Sequence, residues 1–370
     1  MAGTHGRARF LRMNHFCLDG LRYHHRSITM LFDRTGQRYG RGVGLRVYAD
    51  GKELAASEKL GQLTATLPPL PPPTQVSQTA DGWVKYEGNP VLGGKLGTCF
   101  DVAVLREDGT YRMWFSWRPK KGIALVESKD GVNWSEPVIV LSPNPRTDWE
   151  SDINRPGVVK VGDMYHLWYT GQHGGRSWIG YATSRDGKSW KRMGDKPVLA
   201  SEKPWEKVAV MCHHVLWDEQ AQQYRMWYSG GEHNEPNAIG YATSHDGLTW
   251  TKHPDNPVFH PDRNADWEKH KVTACQVIRH GDWHLMFYIG FQDERHARIG
   301  LARSRDGITG WKRHPSNPIL RPDRGQWDHD ACYKPFAILH QGRWLLWYNG
   351  RRGGVEQIGL AVHEGKDLGF

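Results

Sequence analysis

The sequence predicts an all-β protein: a five-bladed β-propeller with a small N-terminal β appendage. Two observations carry this. The first is a phrase that recurs five times: Ile123-Ala-Leu-Val-Glu-Ser, Ile179-Gly-Tyr-Ala-Thr-Ser, Ile239-Gly-Tyr-Ala-Thr-Ser, Ile299-Gly-Leu-Ala-Arg-Ser and Ile358-Gly-Leu-Ala-Val-His, at spacings of 56, 60, 60 and 59 residues. Self-similarity at a fixed period marks a repeat architecture. The second is the order within each repeat. A short apolar run is followed by an aromatic strand such as Tyr111-Arg-Met-Trp-Phe or Tyr224-Arg-Met-Trp-Tyr, then the Ile-Gly strand, then a Trp-led segment ending in Asn-Pro-Val or a close variant. Asp-Gly and Asn-Pro punctuate these β-branched and aromatic runs, and no stretch keeps a helical period over three turns. Four strands per unit, five times over, is propeller arithmetic. A linear solenoid, the alternative, uses shorter repeats.

Residues 1–67 stand outside the repeat and form the appendage. Ser27-Ile-Thr-Met-Leu-Phe and Val43-Gly-Leu-Arg-Val-Tyr read as strands, and Ala49-Asp-Gly-Lys52 as a hairpin turn before Glu53. The appendage packs on the propeller or reaches a neighbouring subunit, giving a homo-oligomer. Residues 68–82 read as a linker, because Pro68, Pro69, Pro71, Pro72 and Pro73 favour an extended, semi-rigid spacer. The propeller then spans 83–370. Its last repeat stops after three strands. Trp83–Leu92 is an orphan fourth strand resembling Trp250–Phe259 and Trp311–Leu320, so it is expected to complete the last blade and close the ring.

Composition narrows the class. No apolar run is long enough to span a bilayer, and the start of the chain lacks the apolar core of a secretion signal. Five cysteines make a disulfide framework a poor fit, and reduced thiols suit the cytoplasm, the expected location. Cys99, Cys212, Cys275 and Cys332 fall near the start of four first strands and read as small apolar packing. The net charge of +9 is scattered without a dense basic run, so neither nucleic acid nor a membrane is the expected partner.

In a propeller the first strand of each blade lines the axis, and chemistry is sought there. At that position the repeats carry Asp101, Arg155, His213 with His214, Gln276 and Lys334. Charged side chains are seldom buried unpaired, so their convergence implies a polar ligand pocket. The entry loops add Glu150, Asp152 and Glu206 within repeated Trp-acid pairs, which read either as packing elements or as pocket acids. Loops after the second strand add Glu232 and Arg351. Carboxylates, cations and tryptophans around one pocket suit an oligosaccharide or glycoside substrate, and glycoside hydrolysis needs two carboxylates. Adjacent histidines on a strand point to opposite faces, so no metal is expected, and no cofactor.

Over residues 83–370 the chain resembles the five-bladed propeller glycosidases of glycoside hydrolase families 43, 32 and 130. The resemblance rests on Met226-Trp-Tyr-Ser-Gly230, Ile239–Ser244, Asp246-Gly-Leu-Thr-Trp250 and Asn89-Pro-Val-Leu92. It implies a glycosidase acting on a terminal bond, arabinofuranosidase-like, with Asp101 in the place of the first-blade catalytic base. Where family 43 carries its second Asp and its acid Glu, this chain has Arg155-Pro-Gly and Cys212-His-His. The acid is therefore sought among Glu206, Glu232, Glu150 and Asp152, with Arg155, His213, His214, Gln276, Lys334 and Arg351 binding substrate. A non-catalytic sugar-binding propeller and a glycoside phosphorylase are the alternatives.

Overall fold

The computed structural model describes residues 13–23, 26–49, 51–67 and 79–370. Regular structure there is all strand, apart from three 3-10 turns of three residues each. No helix is long and apolar enough to cross a membrane among these residues. The chain divides into two compact units, residues 1–75 and 76–370. The Pro68–Pro73 run and the chain start, on which the linker and signal readings rest, lie outside the described residues, as does Asp50 of the hairpin turn.

The first unit is one antiparallel sheet of four strands in chain order: His15–Tyr23, Arg26–Asp33, Gly44–Ala49 and Lys52–Ser57. Its buried side chains include Ile28, Leu31, Phe32, Leu45 and Tyr48. Asp33 organises the turn after the second strand by accepting the N–H groups of Thr35, Gly36, Arg38 and Tyr39. Sequence analysis missed the first strand, whose Asp19-Gly20 interruption coincides with a register shift between Leu18 and Leu21.

The second unit repeats one antiparallel pattern five times. The sheets are, in order, Cys99–Glu107, Thr110–Trp117, Gly122–Ser128 and Val138–Leu141; then Asp152–Val161, Met164–His173, Arg176–Ser184 and Lys191–Arg192; then Ala209–Asp218, Gln223–Gly231, Ala238–Ser244 and Thr251–Lys252; then Lys271–His280, Trp283–Phe291, Ala297–Ser304 and Lys312–Arg313; and last Ala331–His340, Arg343–Arg352, Val355–Glu364 and Trp83–Lys85. A parallel bridge, Ser177 to Ala209, links the second and third. The last sheet takes its outer strand from the start of the unit: Ala361, Val362 and His363 pair with Lys85, Val84 and Trp83. Residues 79 and 80 join the fourth sheet's edge through the Thr79–Leu320 bridge and the Ala80 N–H bond to Ile319.

The recurrent phrases each have a local cause. In Ser-x-Asp-Gly turns the Ser oxygen accepts the Gly N–H and the Asp carboxylate accepts two further N–H groups, as at Ser184-Arg-Asp-Gly187. In Asn-Pro phrases the Asn side chain bonds both backbone groups of one residue on the third strand, as Asn89 does with Leu360. In Trp-acid pairs the indole covers a glycine on each of two adjacent strands: a Cβ on Gly230 or Gly240 would meet the Trp205 ring at 2.4 and 2.8 Å. The aromatic second strands bury Trp114, Trp168, Trp227 and Trp347 completely.

Candidate active site

Each of the five first strands carries a β-bulge at the same level. Register shifts fall between Phe100 and Val102, Asn154 and Gly157, Met211 and His214, Thr273 and Cys275, and Tyr333 and Phe336. The bulged residues, Asp101, Arg155, Cys212, Ala274 and Lys334, have φ of 50°, 55°, 52°, 38° and 53°. Non-glycine residues seldom adopt this left-handed region, and such strain persists only where surroundings impose it. Here the preceding sheet imposes it. The Asp101 N–H donates to Asn349 Oδ1 (3.1 Å), that of Arg155 to Ser116 Oγ (2.7 Å) and that of Ala274 to Ser229 Oγ (2.8 Å).

The five bulges surround one small cavity of about 50 Å³. It corrects the sequence alignment in two repeats: the third and fourth place Cys212 and Ala274 on the ring, one or two residues ahead of His213, His214 and Gln276. Both histidines nevertheless line the cavity, because the bulge disturbs the strict alternation of the strand.

Asp101 sits between two cations. Its Oδ2 lies 3.2 Å from Arg155 Nε and 3.9 Å from Lys334 Nζ, while Asn349 Nδ2 donates to its Oδ1 at 2.9 Å. All three charged residues are buried. Burial opposes the charge of Lys334, but Asp101, Cys212 and Glu235 outweigh it and hold its pKa above the ordinary value. Lys334 Nζ also lies 2.6 Å from Cys212 Sγ, so this cysteine packs against a cation rather than in an apolar layer. Burial lowers His213 to about 4, with Arg155 adding to the effect, and lowers His214 to about 3. Both are therefore neutral near pH 7. The Trp168 backbone partly offsets the effect at His213, and His214 Nδ1 accepts the Val277 N–H.

Other expected site residues lie elsewhere. Gln276 lines the cavity, but its amide is closed on the Ala337 backbone, bonding both N–H and C=O, and acts as a clamp between sheets. Glu150 and Glu206 are wholly buried inside their own sheets. Glu150 accepts from Tyr169, Thr147 and Arg192; Glu206 accepts from Tyr228 (2.7 Å), Lys252 (2.9 Å) and the N–H groups of Glu202 and Lys203. Burial pushes Glu206 up, but these donors hold it below its ordinary value. Glu268 and Asp328 repeat the arrangement with Arg313 and Lys85. These acids are structural, which corrects the expectation for Glu150 and Glu206. Glu232 is half-exposed between Lys207 (3.0 Å) and Lys271 (3.4 Å). Asp152 accepts from Asn154, and Arg351 donates to the Arg295 carbonyl over the Tyr333 ring. None of the three lines the cavity.

Two carboxylates escaped the sequence reading. Glu356 accepts from the Tyr333 hydroxyl and pairs with Arg118 at 3.3 Å. Glu235 lies in the loop 232–237. Burial raises its pKa; Lys334 and Arg155 oppose this, and Asp101 and Glu356 add to it. Its Oε2 is buried without a hydrogen-bond partner. A signal was available: this is the longest of the five loops joining second to third strands.

Comparison with known proteins follows the same lines. Residues 88–363 match the family model for glycosyl hydrolases family 43. An uncharacterized protein of Mycobacterium tuberculosis is 28% identical over 281 residues, covering 70% of this chain and 89% of the relative. A 1,2-beta-oligomannan phosphorylase of a Thermoanaerobacter species is 24% identical over 241 residues, covering 62% and 75%. Among solved structures, a glycosyl hydrolase from Bacteroides ovatus superposes with a TM-score of 0.63 at 17% identity, covering 78% of this chain and 94% of that one.

Proposed function

Since the chain belongs to glycosyl hydrolase family 43 and is a glycosidase, we propose that it cleaves a terminal furanoside bond, arabinofuranoside-like, in the axial pocket of a five-bladed propeller. In this reading the five sheets of residues 83–370 are the blades, the sheet before residue 68 is an appendage, and Asp101 is the base or nucleophile. The observation that carries it is the setting of Asp101. This carboxylate stands at a strained bulge on the pocket wall, with Arg155 and Lys334 beside its Oδ2. Arg155 and Lys334 are the charges nearest this carboxylate and orient it for taking a proton or attacking carbon. Arg155, Lys334 and the neutral imidazoles of His213 and His214 supply hydroxyl-binding groups. The narrow cavity suits one ring entering end-on, hence a terminal residue.

The test is a panel of aryl furanosides and pyranosides with wild type and Asp101→Asn. Turnover of a furanoside by wild type, lost in the variant with the fold intact, supports the reading. Turnover of pyranosides alone removes the furanoside assignment. A second reading, glycoside phosphorolysis, is favoured by Arg155 and Lys334 together facing one carboxylate, since paired cations suit an attacking phosphate. Inorganic phosphate would then be required, and the product would be a sugar 1-phosphate.

A further inference from the structure

We infer that Glu235 is the proton donor of the axial pocket and that Lys271 is the positioning residue that seats it. The inference rests on the glycosidase reading and supplies the second carboxyl group which that reading needs.

Placement comes first. Gly231 pairs with Ala209 and Ser229 with Met211, the last pair before the third-sheet bulge. The loop 232–237 therefore leaves its strand at the end of the sheet where the bulges lie. From this loop Glu235 interacts electrostatically with Lys334 and Glu356 of the fifth sheet, Arg155 of the second and Asp101 of the first. A side chain of the third sheet that couples to three other sheets lies near the ring of bulges, although it does not line the small cavity itself. Its buried Oε2 has no partner, whereas Glu150, Glu206, Glu232, Asp152 and Glu356 are each held by donors.

Chemistry agrees. Burial raises the pKa of Glu235, the direction a general acid requires, while Asp101 stays paired with cations. His233, on the same loop, is lowered by burial and by Arg155, so it brings no competing charge near neutrality. In the direct-displacement form, the Glu235 proton passes to the glycosidic oxygen as the C–O bond breaks, and the bonding pair leaves with that oxygen. A water oxygen bonds to the anomeric carbon and gives its proton to Asp101. One proton is donated and one taken up, so the pair is ready again after proton exchange with solvent.

Lys271 fixes the loop. Its side chain is almost wholly buried, yet it donates to the Glu235 carbonyl at 3.2 Å and pairs with Glu294 at 3.0 Å and Glu232 at 3.4 Å. A buried ammonium with three acceptors ties the loops of the third and fourth sheets together and fixes the backbone at Glu235.

The experiment compares an alkyl and a 2,4-dinitrophenyl furanoside, since the second leaving group needs no proton. Glu235→Gln is expected to lose about 10²- to 10⁴-fold in kcat/KM on the alkyl substrate, to stay within about tenfold of wild type on the dinitrophenyl one, and to lose the alkaline limb of its pH–rate curve. Lys271→Met should move that limb to lower pH, with Lys271→Arg restoring it. In carboxyl ¹³C titrations, a resonance absent from Glu235→Gln should titrate above the ordinary glutamate range. Equal losses on the two substrates, or a Glu235 carboxyl titrating normally, overturn the donor role while leaving the glycosidase reading intact. A wild-type protein inert on every glycoside, with or without phosphate, overturns that reading and the donor role together.

Discussion

Two sets of charged groups recur around the propeller, and they differ in how their bonds are satisfied. Inside the blades, Glu150, Glu206, Glu268 and Asp328 each meet a cation from the fourth strand: Arg192, Lys252, Arg313 and Lys85. Tyr169, Tyr228 and Tyr348 donate to three of these acids. At the axis, the bulge residues Asp101, Arg155, Cys212, Ala274 and Lys334 share a backbone conformation and nothing else. There one carboxylate faces two cations: Asp101 Oδ2 lies 3.2 Å from Arg155 Nε and 3.9 Å from Lys334 Nζ. A buried charge that recurs, paired in the same way each time, is structural, because each of these sheets meets the same packing problem. An unrepeated cluster of charges on a strained backbone marks a place where another molecule can bind.

The sharpest way to break this contrast is to remove one acid from each set. Asp101→Asn keeps the volume and the Asn349 contact but leaves Arg155 and Lys334 buried without their carboxylate, so its expected effect is a fall of about 10²- to 10⁴-fold in kcat per folded molecule together with a lower melting temperature. Steady-state kinetics beside calorimetry check it. Next comes Glu206→Gln, which leaves Lys252 buried with its charge unanswered. Breaking such a pair costs about 3–5 kcal/mol, and urea denaturation should show it, while kcat per folded molecule stays near wild type. A Glu206→Gln enzyme of normal stability and no activity would reverse the two assignments.

A smaller effect follows from pH. His213 and His214 stay neutral in the fold to about pH 4 and about pH 3, whereas the unfolded chain protonates them near 6.5. The unfolded state then binds more protons, so stability is full above pH 6.5 and declines as pH falls through that value toward 4, by about 1.4 kcal/mol per pH unit for each histidine. Below pH 4 a second decline begins, because hydrogen bonds hold Asp130 and Asp246 down to about 2 and that stability is lost as they protonate. Urea midpoints measured across this range should flatten between pH 6 and 4.5 in a His213→Gln, His214→Leu double variant, with the lower decline unchanged.

How much of this was legible depends on the residue. The Ile-Gly phrase and the Asn-Pro and Asp-Gly turns are backbone requirements, so they recur in sequence and reveal the sheets. The ring was misread at two of its five positions because a bulge moves a side chain without changing the repeat length: Cys212 and Ala274 occupy positions given to His213, His214 and Gln276. Glu206 was misassigned because its partner Lys252 lies 46 residues away. That pairing had a trace. The four Trp-acid blades each carry a cation two residues after the Trp that leads the fourth strand: Lys85, Arg192, Lys252 and Arg313. The first blade has no entry-loop acid and carries Glu136 after Trp134 instead. Glu235 left only a long loop, since its couplings to Lys334, Arg155 and Asp101 join residues far apart in the sequence.

The finest test of the contrast concerns the contacts between blades. Trp114, Trp168, Trp227 and Trp347 each donate an indole N–H to the glycine carbonyl of the next blade's turn: Gly187, Gly247, Gly307 and Gly131. The fourth blade has Phe287 at this position, and its neighbour is the one blade whose turn, Glu364-Gly365-Lys366, is not Ser-x-Asp-Gly. Phe287 has no N–H to give, and the turn carbonyl, that of Lys366, instead accepts the Trp344 indole N–H of its own sheet at 3.1 Å. Trp347→Phe should therefore cost about 1–3 kcal/mol, because it strands the buried Gly131 carbonyl at the junction of the last and first blades. Phe287→Trp should give no matching gain, since the Lys366 carbonyl already accepts from Trp344 and the larger ring must be fitted into a filled core. Equal and opposite shifts from the two variants would mean that the Trp acts through ring volume alone, and the repeated set would then be defined by packing rather than by satisfied polar groups.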